Sequence, residues 1–310
     1  MSKKNQFISI IIPSHNESES IMELISNIVN SLDNSEFKDN YEVILVNDGS
    51  IDNTEEVAKS ICRKFKKILC VNLKMNLSKP YALEIGIKLS NGEIIVNIDA
   101  DLQYSSEDII KMLRFMKENK ADVVNGYRES RRDPIHIKFL SKFYNSVIRT
   151  LSGLKLNDFW CGIKIYKKHI FELMDFSGLA RFIIFFSYKY NFNIKEIKVD
   201  HFERKKGITS YNLFNRVILA FQDVFTLITC VVLNKKIIYQ IKILVLAIYV
   251  FFISILIFLG NLQSKLFFFI MSTFALLVCL NLIVTSFLKT KEKNNFNYDK
   301  NIKSIIKSSE

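Results

Sequence analysis

Short, almost continuously apolar runs alternate with amphipathic stretches through the first half of the chain, and this alternation limits the possible folds most. The runs predict strands at Phe7–Ile12, Tyr41–Val46, Ile68–Leu73, Glu93–Ile98 and Asp122–Asn125. Between them, apolar spacing of helical period predicts helices over 18–32, 52–65, 79–90 and 106–119. Strands that are apolar on both sides need cover on both faces, so the class is α/β, Rossmann-like, a mostly parallel sheet with helices on either side. Ligands of such sheets bind beyond the carboxyl ends of the strands. Three of those ends carry polar signatures: Pro13-Ser14-His15-Asn16-Glu17, Asn47-Asp48-Gly49-Ser50 and Asp99-Ala100-Asp101-Leu102-Gln103.

The third signature is the most chemically specific. Side chains at i, i+2 and i+4 of an extended segment share a face. Asp99, Asp101 and Gln103 therefore gather oxygen acceptors where a buried strand meets solvent. Mg²⁺ and similar hard cations take oxygen ligands of this kind, usually one or two carboxylates completed by substrate phosphates. A bare Asp-x-Asp also suits a polar strand exit, but three polar strand ends together read as a nucleotide pocket with a metal. There is no Gly-x-Gly-x-x-Gly after the first strand and no Gly-x-x-x-x-Gly-Lys-Ser/Thr, which disfavours a dinucleotide domain and a P-loop. Five scattered cysteines without a Cys-x-x-Cys pair fit reduced thiols, and the four histidines show no zinc spacing.

The chain has 310 residues and a formal charge of +12. No basic stripe interleaved with aromatics is present, so a membrane-facing basic surface is the better reading and nucleic acid is not expected. The first apolar run is short and ends at Pro13, unlike a signal peptide, so the N-terminal domain is expected in the cytosol. An Arg-rich loop spans 127–134, a helix is predicted over 137–151 and a strand over Ile194–Val199. Residues 213–236 carry an apolar face interrupted by Asn215, Arg216, Gln222 and Asp223, which suits an interfacial helix. Segments of about 238–260 and 266–288 are long enough to cross a bilayer and form a transmembrane hairpin within 237–289. Lys235 and Lys236 before it, and Lys289, Lys291 and Lys293 after it, place both termini on the cytoplasmic side. The organisation is thus a cytosolic domain over 1–212, the interfacial helix, the hairpin, and a polar tail over 290–310, expected to be disordered after Asn294.

Ile10-Ile11-Ile12-Pro13-Ser14-His15-Asn16-Glu17, Asn47-Asp48-Gly49-Ser50 and Asp99-Ala100-Asp101-Leu102-Gln103, in that order, resemble the signatures of family 2 glycosyltransferases of the GT-A fold. Asp158…Gly162, Arg204-x-x-Gly207-x-x-x-Tyr211 and the hairpin narrow this. They are similar to the polyprenyl-phosphate glycosyltransferases: dolichyl-phosphate mannose synthases, bactoprenol glucosyltransferases and, most of all, undecaprenyl-phosphate aminoarabinose transferases. The resemblance runs from residue 7 to about 290. It implies that Pro13, Asn16, Glu17, Asp48, Lys79 and Asp99 bind a nucleotide-sugar, and that Asp101 and Gln103 hold Mg²⁺ or Mn²⁺. It further implies that Arg128, Arg131, Ser141, Arg204 and Lys206 bind phosphates of donor or lipid acceptor, and that Asp99, Asp101 and Asp158 are the catalytic set. The implied partners are a nucleotide-sugar donor, a polyprenyl phosphate, the membrane and further copies of the chain, as in a tetramer.

Plainer roles stand beside these. Pro13 can stop a strand, Asp48-Gly49 can be only a turn, and the arginines of the 127–134 loop can be solvated. Asp158 can be a cap, Trp160 packing, and Lys164 a solvated strand residue. The chain departs from the family pattern at Asn47 (usually Asp), Ser78 (usually Gly), Ser105-Ser106 (often Pro-Pro), Lys164 (commonly Arg) and Ile137, near which a basic residue is usual. The expected reaction is inverting sugar transfer to a polyprenyl phosphate at the cytoplasmic face. The competing readings are an inactive nucleotide-sugar-binding scaffold and a polysaccharide synthase. The synthase would carry Gln-x-x-Arg-Trp, and the only tryptophan here is Trp160.

Overall fold

The computed structural model describes residues 6–128, 142, 145, 146, 148–150, 152–173, 180–203, 273 and 298–308. The chain divides into two compact units, Met1–Ala220 with Asn297–Glu310, and Phe221–Phe296; the elements below belong to the first. They run β1 (Ile8–Ser14), α1 (Ile21–Asp33), β2 (Tyr41–Asn47), α2 (Thr54–Lys64), β3 (Ile68–Leu73), α3 (Lys79–Leu89), β4 (Ile94–Asn97), α4 (Ser106–Glu118) and β5 (Val123–Arg128). Then follow β6 (Lys164–Lys167), α5 (Lys168–Glu172), α6 (Ile183–Lys189), β7 (Ile194–Val199), α7 (Tyr298–Asn301) and β8 (Ile302–Lys307).

The eight strands form one sheet in the order β7-β5-β6-β4-β1-β2-β3-β8. Strand pairs β1–β2, β1–β4, β2–β3 and β5–β7 are parallel, in keeping with the predicted class. Alternation along each strand sends side chains to opposite faces. Ile8, Ile10 and Ile12 of β1 and Val43 and Leu45 of β2 join Ile21, Leu24, Ile25 and Ile28 of α1 in one core. Helix α3 covers the other face, against β1 and β2. Helix α4 starts on Ser105, whose side chain accepts the Glu107 N–H at 3.2 Å, so the residue that replaces a family proline supplies an N-cap instead.

Two strands had no predicted range, although Lys164 reads as a strand residue. The run Lys164-Ile165-Tyr166-Lys167 is short and flanked by lysines, yet it inserts antiparallel between β4 and β5 as β6. The expected disorder after Asn294 is corrected at 298–308, where β8 pairs antiparallel with β3. Lys74 N–H reaches Asn301 O at 2.9 Å, Asn72 donates to Ser304 Oγ at 3.0 Å, and Lys303 meets Glu55 at 2.8 Å. An edge strand needs one row of backbone partners and half a covered face, and lysines on its outer side discourage further pairing. A polar Lys/Ser/Ile segment satisfies that without looking like a core strand.

Among the described residues no helix is long and apolar enough to cross a membrane. The predicted interfacial helix (213–236) and hairpin (237–289, Thr273 apart) lie outside the described residues, as do Arg131, Ser141, Arg204, Lys206 and most of the 137–151 helix.

Candidate active site

The predicted residues that the structure describes lie at the carboxyl ends of β1, β2, β4 and β5 or in the segments beside them. At the first end, β1 runs through Pro13 to Ser14, so Pro13 does not stop the strand. Asn16 adopts φ 56° and is clasped from both sides: its N–H reaches Ser50 Oγ at 2.9 Å, and its side-chain oxygen accepts Ile51 N–H at 3.0 Å. Glu17 N–H donates to Thr54 Oγ1 at 3.0 Å, and its carboxylate accepts Ser20 Oγ at 2.9 Å. The second end is sewn to the first through Asp48 N–H to Ser14 O, 2.8 Å. Asp48 is buried, and its carboxylate accepts Leu77 N–H at 2.7 Å. Burial raises its pKa above the usual carboxylate range, opposed in part by that N–H. Gly49 sits at φ +58°, where a Cβ would strike the Met75 carbonyl carbon, so the turn requires glycine. Asn47, in place of the family's usual Asp, is buried and donates to Asn72 Oδ1 at 2.9 Å, a pairing that suits a neutral amide.

At the third end, Asp99 takes the Lys79 ammonium at 2.5 Å. Lys79 opens α3 directly after Ser78, which stands at φ 83°, ψ 152°, a region almost confined to glycine. Where relatives of the resembled family carry glycine, this chain holds a serine in a glycine conformation. Asp101 accepts Gln103 N–H at 3.2 Å. Gln103 and Phe202 exchange a backbone bond (Phe202 N–H to Gln103 O, 2.9 Å), and Gln103 Nε2 donates to Phe202 O at 3.3 Å. The segment that leads into Arg204 is thus fastened to this strand end.

The fourth region gathers residues far apart in sequence. Arg128, at the end of β5, forms a bidentate pair with Asp158, Nε–Oδ2 2.6 Å and Nη2–Oδ1 3.0 Å. Asp158 also accepts Trp160 N–H at 3.2 Å, as a cap would. Trp160 packs edge-on against Phe182, centroids 5.7 Å apart, so packing accounts for it. Lys164 is corrected from a solvated strand residue to a buried one: it is 6% exposed, and its ammonium donates to Cys161 O. Desolvation lowers its pKa, while the nearby Cys161, Asp158 and Asp99 oppose that shift.

Gly162 joins the regions. Its N–H donates to the buried Tyr104 hydroxyl at 2.8 Å, and a Cβ there would lie 2.5 Å from Asp99 Oδ2. The 158–164 segment therefore lies directly against the Asp99 strand end. Tyr104, Asn125 and Glu196 were not predicted as site residues. Asn125 was discernible as an amide inside the Val123-Val124-Asn125 run, whereas Tyr104 and Glu196 carry no local signal.

Among the described residues no group of three or more His, Cys, Asp or Glu side chains converges to hold a metal. The Asp101–Gln103 pair fits a divalent cation that borrows further ligands from a diphosphate. Gln103 donates its side-chain amide to Phe202 O, so its Oε1 keeps the acceptor chemistry a hard cation needs.

The glycosyl transferase family 2 profile matches residues 9–174. Undecaprenyl-phosphate 4-deoxy-4-formamido-L-arabinose transferases are similar in sequence. The protein from Yersinia enterocolitica is 32% identical over 231 residues, 74% of this chain and 68% of that one. Its counterpart from Aeromonas hydrophila is 29% identical over 227 residues, 73% and 68%. Among solved structures, glucosyl-3-phosphoglycerate synthase from Mycobacterium tuberculosis with Mn²⁺, UDP and glucosyl-3-phosphoglycerate superposes with TM-score 0.56. It is 16% identical, with 74% of this chain and 82% of that one covered. S. aureus TarS 1–349 with UDP-GlcNAc gives TM-score 0.50 at 21% identity, covering 74% and 68%. The structural likeness is one of fold.

Proposed function

Because the chain belongs to glycosyl transferase family 2, we propose that it transfers a sugar from a nucleotide-sugar to a polyprenyl phosphate, giving a polyprenyl-phosphate-sugar and a nucleoside diphosphate. The observation that carries this is the contact of Gly162 with Asp99. It sets a strand end suited to a diphosphate against a segment that holds Asp158 and Lys164 and, through Asp158, pairs with Arg128 of β5. The names of the relatives, which specify undecaprenyl phosphate, support the acceptor.

In this reading Pro13, Asn16, Glu17 and Asp48 hold the base and ribose, with Asp99 and Lys79 at the sugar-diphosphate side. Asp101 and Gln103 would hold Mg²⁺ or Mn²⁺, which would supply Lewis-acid charge at the diphosphate. The acceptor phosphate is largely ionised near pH 7, since its second pKa is about 6. Its oxygen attacks the anomeric carbon with inversion, and the carbon–diphosphate oxygen bond breaks, so no strong general base is needed. Fixed cations then do the electrostatic work: Lys79 beside Asp99, Arg128 on Asp158, and the buried Lys164. Arg131, Ser141, Arg204 and Lys206 belong to the same phosphate-binding proposal. Residues 213–236 and the 237–289 hairpin would hold the pocket at the cytoplasmic membrane face, where a lipid head group is found.

The test uses full-length protein in detergent with undecaprenyl phosphate, Mg²⁺ or Mn²⁺, and a panel of UDP- and GDP-sugars that includes a nucleotide-linked 4-deoxy-4-formamido-L-arabinose. Lipid-dependent nucleoside diphosphate release from one donor is the expected result. Folded protein that binds nucleotide yet releases none in response to lipid, with any donor, would sink the proposal.

A further inference from the structure

The loop that carries Asp158 hangs from one carboxylate. Glu196 on β7 accepts the Asn157 N–H (3.1 Å and 2.9 Å to its two oxygens), the Asn157 side-chain amide (2.8 Å) and the Asp158 N–H (3.1 Å). Asn125, its register partner across the β5–β7 ladder, donates to Glu196 Oε1 at 3.2 Å and to Asp158 O at 2.6 Å. Both backbone groups of Asp158 are therefore tied to two side chains at a single level of the sheet. Its carboxylate is thereby aimed at Arg128, three residues further along the same strand as Asn125.

This is more than an edge strand needs. Lys195 and Lys198 of β7 are exposed, as an outer strand's side chains ordinarily are, while Glu196 is half-buried and turned onto the loop. A carboxylate that gathers several N–H donors from one loop fixes backbone position through their combined geometry, and the part-buried Asp158 N–H is the one costly to leave unpaired.

We infer that Glu196 is a positioning residue for acceptor use, acting through Asp158 on Arg128, an inference that rests on the proposed polyprenyl-phosphate acceptor. Without it, the Asn157–Asp158 backbone loses its anchors, the Asp158 carboxylate turns from Arg128, and the guanidinium is no longer held at the β5 end. The β1 and β2 ends, to which the proposal assigns the base and ribose, are built from other segments, so use of the nucleotide-sugar should change less than use of the lipid.

Steady-state kinetics of the full-length wild type, Glu196→Ala, Glu196→Asp, Asp158→Asn and the Glu196→Ala/Asp158→Asn double variant decide it. Glu196→Ala should raise KM for undecaprenyl phosphate about tenfold and leave the nucleotide-sugar KM within about twofold. Glu196→Asp, which keeps the charge, should recover part of the loss. In the Asp158→Asn background, Glu196→Ala should add nothing, the signature of action through a shared residue. Unchanged kinetics, a parallel rise in both KM values, or independent multiplication of the two single effects would each overturn the assignment. Should Glu196→Ala fail to fold by circular dichroism, the same cycle run with Glu196→Asp decides between these outcomes. A wild type without lipid-dependent turnover is a distinct result: it removes the acceptor reading and this assignment with it.

Discussion

Lys79 and Asp99 form an ion pair with side chains 52% and 24% exposed, whereas Arg128 and Asp158 form a bidentate pair at 11% and 4%. The first belongs to a half of the pocket made of strand ends, where Asn16, Asp48, Asp99, Asp101 and Gln103 come from short consecutive stretches. The second belongs to a half made of charges paired with one another across the fold, organised by Asn125, Glu196 and the 157–164 segment. Exposed pairs contribute roughly 0–1 kcal/mol and can be released to meet a ligand. Buried pairs are held by their mutual satisfaction, and losing one partner strands the other in low dielectric. The strand-end pair is therefore free to exchange partners, and the buried pair is fixed in place.

The contrast is broken most forcefully at Arg128. Arg128→Ala takes the bidentate partner from a buried carboxylate and should cost about 3–5 kcal/mol of stability, read by urea denaturation; a loss under about 1 kcal/mol, the range of an exposed pair, would make the two halves alike. Asp101→Ala tests the other side. It should reduce metal-dependent turnover by about 10²–10³-fold with the melting profile preserved, and an unchanged rate would remove the metal role.

Ser78→Gly sharpens the comparison from the opposite direction. It relieves a serine held at φ 83° beside Lys79 and should stabilise the protein by about 1–2 kcal/mol, again by denaturation. No gain would mean that the Ser78 backbone is not strained in solution.

The smallest effect is expected from Asp48→Asn. Burial raises the folded-state pKa of Asp48. Its contribution to stability is therefore present below the ordinary Asp value of about 4 and is lost as pH rises through the raised value. The wild-type-minus-variant stability difference, followed from acid to neutral pH, should fall slightly across that interval. A difference that rises with pH would contradict the burial of this carboxyl.

The strand-end half was legible because its information is local. Asp99, Asp101 and Gln103 are spaced for one face of a strand exit, and an apolar run makes the strand; Asn16, Glu17 and Asp48 follow strands of the same kind. The buried half was legible only as isolated residues. Asp158 and Arg128 were both singled out, but not as partners, because the pair closes across 30 residues. Glu196 carries no local signal, and Lys164 looked like a solvated strand residue.

The sequence by itself determined the α/β class, the apolar strand runs and the polar ends at which a pocket had to form, since apolar periodicity and strand-exit chemistry act over a few residues. Tertiary structure alone decided that a four-residue run becomes β6, that Lys164 is buried, that Ser78 must adopt a glycine conformation and that Glu196 grips the Asp158 loop. It also decided that the tail becomes β8, where Asn72 meets Ser304 across 232 residues. Each of these depends on a partner that local pattern does not contain. Burial of a charge and pairing of an edge strand are set by what the rest of the chain brings beside them.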